Sequence, residues 1–153
     1  MRVFVYGTLR KNQYNYNTYY KDKSQFISYG YIKGTLYSLN DAIYPAFIEE
    51  GNTLVLGEIY ELEATTSSRA DAMEGYISEG NINNEYNKTI LPIYDIGGKV
   101  IDRLPVYTFN ISNPVHKQRL KDIIASGDYI DYLNKKNWFI SILFYLPDYQ
   151  KWL

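Results

Sequence analysis

The sequence predicts a compact, barrel-like α+β domain. Three observations carry that reading: strand-like segments outnumber helical ones, glycine or polar turns separate them, and 18 of the 153 residues are tyrosine. Tyrosine suits a pleated surface, where the ring face is buried and the hydroxyl stays near water or a partner. A hydrophobic content of 46% with 22% charge is that of a soluble globular chain and not of a disordered one. No internal repeat, low-complexity linker or composition break divides the chain, so residues 1–153 are read as one domain with a sizeable core.

The first strand, residues 2–6, is apolar and β-rich and stops at Gly7-Thr8-Leu9-Arg10. A strand broken at glycine leaves successive N–H groups without ladder partners, and such groups can form an anion-binding nest. A short, poorly defined helical stretch follows at 13–20. Val, Ile, Tyr and Thr then mark strands at 26–39, 46–49, 53–62, 88–94 and 99–109, the last two joined at Gly97-Gly98 as a hairpin. Between them, 65–74 is read as a helix with Thr65 or Thr66 as N-cap and Gly75 as its stop. A further helix is expected over 114–125, with Pro114 in its first turn and Val115, Leu120, Ile123 and Ile124 on one side. The apolar tail 138–153 fits an edge strand, a closing helix or a subunit contact, and it offers a surface for a homodimer.

Composition excludes several chemistries. Sixteen basic against seventeen acidic side chains, a formal charge of -1, give no footprint for a nucleic-acid backbone. Tyr14-Asn15-Tyr16-Asn17 could stack nucleobases, but ordinary surface aromatics are the better reading. Without cysteine there is no disulfide, thiol nucleophile or thiolate metal site. The single histidine, His116, rules out a multi-histidine metal centre and is read as a solvated or capping side chain. No acidic calcium loop, GxSxG elbow, phosphate-binding Walker loop or GxGxxG fingerprint is present. Neither a metal nor a cofactor is therefore expected. The N-terminus enters a strand at once and the longest apolar run, 139–146, is too short to span a bilayer. A cytoplasmic protein with no membrane partner is the expectation. What remains is chemistry that one carboxylate can carry.

The blocks Tyr6-Gly7-Thr8-Leu9-Arg10, Tyr44-Pro45-Ala46, Gly57-Glu58-Ile59-Tyr60, Asp71-Ala72-Met73-Glu74-Gly75-Tyr76 and Ser126-Gly127-Asp128-Tyr129 together resemble the gamma-glutamylcyclotransferase family. They look most like its small bacterial, gamma-glutamylamine branch, over roughly residues 1 to 134. The resemblance implies a small mixed β-barrel with flanking short helices. It also implies that the loop Tyr6, Gly7, Thr8 and Leu9 holds the gamma-glutamyl moiety of a small-molecule substrate, while Glu74 is the general acid/base. Ala70 stands where the family often has leucine, Lys88 where it commonly has arginine, and the Asn-rich stretch 78–85 and the tail have no counterpart. These departures bear on substrate choice more than on reaction type.

In the implied reaction the substrate's own α-amine attacks its side-chain carbonyl, closing 5-oxoproline and expelling an amine or amino acid. Glu74 suits it: a helix C-terminus disfavours ionisation, and Met73 and Tyr76 can exclude water. Asp71, one turn earlier, is given a supporting role. The amides of Gly7, Thr8 and Leu9 would meet the substrate α-carboxylate or a developing oxyanion. Tyr6, Tyr44 and Tyr107 are the expected hydroxyl donors of the pocket wall. Arg10 is read as a surface ion-pair partner. Glu58, the rival acid, is read as structural. The alternative to catalysis is a binding module that keeps the same pocket for a small carboxylate.

Overall fold

The computed structural model describes residues 1–145. In chain order it contains β1 (Arg2–Val5), a π-helical turn (Tyr16–Tyr20), β2 (Ser24–Leu39), β3 (Ala46–Leu62), α1 (Ala64–Met73), β4 (Tyr86–Tyr94), β5 (Val100–Phe109), α2 (Pro114–Lys117), β6 (Leu120–Ile123) and α3 (Tyr129–Tyr145). The strands form one sheet in the order β1-β3-β2-β4-β5, with β6 added beside β2. All its pairings are antiparallel.

The α+β class is as expected; the barrel is not. β1 and β5 end the strand path and share no ladder pairing among the described residues, and β2 meets β4 at a single register pair, Tyr31↔Tyr94. The sheet is therefore unclosed. Where β1 and β5 face each other, side chains bridge instead: the Tyr6 hydroxyl donates to the Tyr107 carbonyl at 2.6 Å. That opening is where the pocket forms.

Two further expectations are corrected. The segments at 46–49 and 53–62 are one strand, because Gly51 at φ +94° and a register shift between Gly34 and Thr35 bend β3 without ending it. The Thr35 hydroxyl closes that bend by donating to the Glu50 carbonyl at 2.6 Å. The helix expected over 114–125 stops at Lys117. Residues 120–123 leave it because the free edge of β2 offers ladder partners, pairing Leu39 with Leu120 and Tyr37 with Ile123. The tail's residues 138–145 continue α3, and 146–153 lie outside the described residues. Among the described residues no helix is long and apolar enough to cross a membrane.

β1 shows how the core is divided. Its alternation sends Val3 and Val5 into a cluster with Leu9, Tyr20, Tyr60, Ala70, Tyr86 and Tyr107. Phe4 goes to the opposite face with Ile32, Phe47, Val55 and Val106. The close approach of β1 and β3 needs Gly57, since a Cβ there would stand 2.3 Å from the Phe4 ring.

Candidate active site

The loop after β1 is held from below by a buried ion cluster. Arg10, 4% exposed, donates from Nε to Glu58 at 2.6 Å and pairs through Nη1 with Asp128 at 2.9 Å. Glu58 also accepts from the Lys11 amide at 2.8 Å and the Tyr60 hydroxyl at 2.7 Å. Arg10 is thus not the surface residue expected from sequence. A buried guanidinium fork needs carboxylate partners, and Glu58 of β3 and Asp128, which caps α3, supply them. Glu58 is structural, as read. Asp128 Oδ1 accepts from the Ile130 and Asp131 amides at 3.1 and 3.2 Å.

With the loop so fixed, the amides of Gly7, Thr8 and Leu9 donate to no acceptor among the described residues. Only glycine fits at position 7, where a Cβ would stand 2.9 Å from the Pro45 ring. Across the pocket, Glu74 is the C-cap of α1. Gly75, at φ +66°, lets its amide reach the Ala72 carbonyl at 3.1 Å and the Tyr76 amide reach that of Asp71 at 3.0 Å. This Schellman closure ends the helix and fixes Glu74 at the pocket.

All seven residues named from sequence, Tyr6, Gly7, Thr8, Leu9, Tyr44, Glu74 and Tyr107, line one narrow recess of about 20 Å³, together with Phe4, Val5, Pro45 and Tyr86. That is room for one water-sized group. The recess adjoins an outer pocket of about 410 Å³ lined by Thr8, Tyr14, Asn15, Ile43, Tyr44, Met73, Glu74 and Glu85. Thr8, Tyr44 and Glu74 belong to both. Glu74 is therefore presented to both, and the size of the outer pocket suits a small molecule.

The three tyrosine hydroxyls already have acceptors. Tyr6 donates to the Tyr107 carbonyl, Tyr107 to Asp71 Oδ1 at 2.5 Å, and Tyr44 to Glu85 at 2.9 Å. Asp71 also holds Lys88, 3.0 Å from Oδ1, which gives both residues a defined place. Glu85 pairs with Arg119 at 2.8 Å, and Arg119 in turn grips Asp41 at 2.9 Å. The Asn-rich stretch behind this rim is ordered by Asn84, fully buried, whose side chain accepts from the Ile77 amide and donates to the Ser78 carbonyl. His116 lies outside the pocket, with Nδ1 3.2 Å from the Asn110 carbonyl.

Glu74 differs from every other acid here. Its carboxylate has no hydrogen-bond partner among the described residues. Burial, followed by the negative charges of Glu85 and Asp71, pushes its pKa up from 4.5 to about 8. Burial first, then Glu74, also raises Tyr6, so that phenol stays protonated. Sequence reasoning missed Tyr86, Glu85 and the outer-pocket residues Tyr14, Asn15 and Ile43. Pro45 had a signal in its place beside Tyr44, and Tyr14-Asn15 were noted only as surface residues. Among the described residues no group of three or more His, Asp or Glu side chains is arranged to hold a metal ion.

Fold and site define a small α+β domain whose pocket sets one unpaired carboxyl against a row of free backbone donors. Residues 3–131 match the family described as Gamma-glutamyl cyclotransferase, AIG2-like. The chain is 33% identical over 131 residues to the "Putative gamma-glutamylcyclotransferase" of Methanocaldococcus jannaschii, covering 85% of this chain and 96% of that protein. It is 32% identical over 105 residues to the gamma-L-glutamyl-butirosin B gamma-glutamyl cyclotransferase of Niallia circulans, covering 69% of this chain and 65% of that one. A crystal structure of a Pyrococcus horikoshii protein shares the fold, with TM-score 0.62 and 22% identity over 90% of this chain and 96% of that chain. The chain belongs to the gamma-glutamyl cyclotransferase, AIG2-like family of enzymes.

Proposed function

We propose that this enzyme releases an amine or amino acid from a gamma-glutamyl amide as 5-oxoproline, with Glu74 as the general acid/base. The observation that carries the reading is the unpaired Glu74 carboxyl, with a pKa near 8, on a pocket it shares with the free amides of Gly7, Thr8 and Leu9. The substrate α-carboxylate, or the oxyanion formed later, meets those amides. Glu74 takes a proton from the α-ammonium, and the freed amine attacks the γ-carbonyl carbon. The new C–N bond closes the five-membered ring. Glu74 then returns that proton to the leaving nitrogen as the original amide C–N bond breaks, and the ring nitrogen gives up its second proton, which the departing amine takes to leave as an ammonium.

Nucleophile and electrophile belong to one molecule, so folding it against the recess supplies the proximity, an effect worth up to ~7–11 kcal/mol. The two proton transfers contribute ~10²–10⁴-fold. A carboxyl with pKa near 8 is matched to both, because near neutral pH neither its gain nor its loss of a proton is strongly uphill. The leaving group would sit in the outer pocket against Tyr14, Ile43, Tyr44 and Met73.

The test is incubation with a panel of gamma-glutamyl amines and gamma-glutamyl amino acids, followed by mass spectrometry for 5-oxoproline. Stoichiometric 5-oxoproline and free amine are expected. Thermal stabilisation by the panel without any product would replace the reading with the binding-module alternative.

A further inference from the structure

Tyr20 is fully buried in the larger aromatic cluster, and its hydroxyl is the one buried side-chain oxygen or nitrogen among the described residues with no hydrogen-bond partner. A donor desolvated in this way is unfavourable unless something completes it in another state. The backbone delivers it deliberately. Residues Tyr16–Tyr20 form a π-helical turn, closed by the Lys21 amide on the Tyr16 carbonyl at 2.9 Å, and such turns re-aim a side chain at the cost of regular geometry. The turn is tied to the substrate loop: the Tyr16 amide donates to the Thr8 carbonyl at 2.9 Å, and Asn15 donates to the Thr8 hydroxyl at 2.7 Å. It also lies against α1, with Arg69 stacked over the neighbouring Tyr19 ring.

Two carboxylates act on the Tyr20 hydroxyl, Glu74 and then Asp71, both raising its pKa after burial has done so. Asp71 is already occupied, by the Tyr107 hydroxyl and Lys88. Glu74 is not. An unpartnered donor and an unpartnered acceptor thus stand on adjoining elements, Tyr20 packed in one cluster with Ala70 and Met73 of the helix that Glu74 caps. We propose that Tyr20 is a positioning residue whose hydroxyl donates to the Glu74 carboxylate, directly or through one enclosed water, once that carboxylate forms. The proposal rests on Glu74 being the acid/base. Tyr20 lines neither part of the pocket and acts on the substrate only through Glu74.

The other groups bearing on Glu74 are Glu85 and Asp71, with Lys88 on β4 neutralising Asp71 and the phenols of Tyr6, Tyr86 and Tyr107 remaining protonated. Tyr20→Phe leaves all of these groups in place, so a change in the Glu74 titration on removing the Tyr20 hydroxyl reports the Tyr20 contact. A donor to the charged form lowers a carboxyl pKa, and its loss raises it.

The experiment is a carbon-13 NMR titration of the Glu74 carboxyl in the full chain, wild type and Tyr20→Phe, with the pH profile of kcat/KM beside it. The expected result is a Glu74 pKa higher by at least about half a unit in Tyr20→Phe, with kcat/KM at pH 7 lower by about threefold and no loss of Tm. Superimposable titrations overturn the proposal. Should Tyr20→Phe fail to fold, 3-fluorotyrosine at position 20, a stronger donor of the same shape, must lower the Glu74 pKa, and no change overturns the proposal equally. The titration needs no substrate. If wild type turns over no gamma-glutamyl amide, the cyclotransferase reading falls while the Tyr20 contact is still decided.

Discussion

Glu58 and Glu74 flank the same loop and have opposite surroundings. Glu58, 2% exposed, is saturated by Arg10, the Lys11 amide and the Tyr60 hydroxyl. Glu74 has two acidic neighbours, Glu85 and Asp71, and no donor among the described residues. One fixes the loop; the other is left with a proton that is easy to exchange. The lesson is that partners, more than burial, decide whether a carboxyl is structural or reactive.

The largest effect expected from this contrast is on stability. Glu58→Gln leaves the buried Arg10 guanidinium with Asp128 as its one carboxylate partner and should lower the unfolding free energy by up to about 3–5 kcal/mol, measured by urea denaturation. Glu74→Gln should leave it unchanged or higher. Equal losses would erase the contrast.

Next comes pH. The Glu74 pKa is about 8 folded against 4.5 ordinarily. Between those values the unfolded chain has released a proton that the folded chain keeps. The stabilisation Glu74 gives is complete below pH 4.5 and is lost as pH rises to about 8. Tm plotted against pH should fall through that window in wild type, and that part of the fall should disappear in Glu74→Gln. The kcat/KM of wild type should climb with pH to an apparent pKa near 8, since the free enzyme must present the carboxylate.

Asp71→Asn sharpens the comparison more gently. It removes a negative charge from beside Glu74 and frees Lys88, both of which favour the Glu74 carboxylate. The ascending limb of the pH profile should move to lower pH by roughly half a unit. A move upward would mean that Asp71 acts on Glu74 through structure and not through charge.

These contacts also show what the chain discloses before folding. Gly75 as a helix stop, Gly97-Gly98 as a hairpin and the broken strand at Gly7 are local events, encoded in backbone freedom, and they appear where expected. The grouping of Tyr6, Tyr44 and Glu74 was legible only through the resemblance of their blocks, since no spacing joins residues that far apart, and Tyr107 was legible only from its place in the last expected strand. Arg10 was misplaced because Glu58 and Asp128 lie 48 and 118 residues away. The strand at 120–123 was read as helix because its partner is the free edge of β2, a tertiary fact that overrides a weak helical pattern. Glu85 gave no signal, being one more polar residue in an Asn-rich stretch until Arg119 and Tyr44 close on it.

The smallest effect expected concerns the leaving group. The charged side chains lining the outer pocket are both acidic, Glu74 and Glu85, and the one cation held against them, Arg119, is already paired with Glu85 and Asp41. Gamma-glutamyl alkylamines should therefore be turned over several-fold faster than gamma-glutamyl amino acids, whose extra carboxylate meets like charge. Met73→Lys should narrow that ratio. A preference for amino-acid leaving groups in wild type would place the leaving amine elsewhere.

The most direct test of the reactive half of the contrast is the rate of 5-oxoproline release by Glu74→Gln against wild type at pH 8, on the best substrate of the panel. A fall of at least about 100-fold in a variant whose Tm is no lower is the predicted result. Undiminished release by that folded variant would contradict the assignment of Glu74 as acid/base.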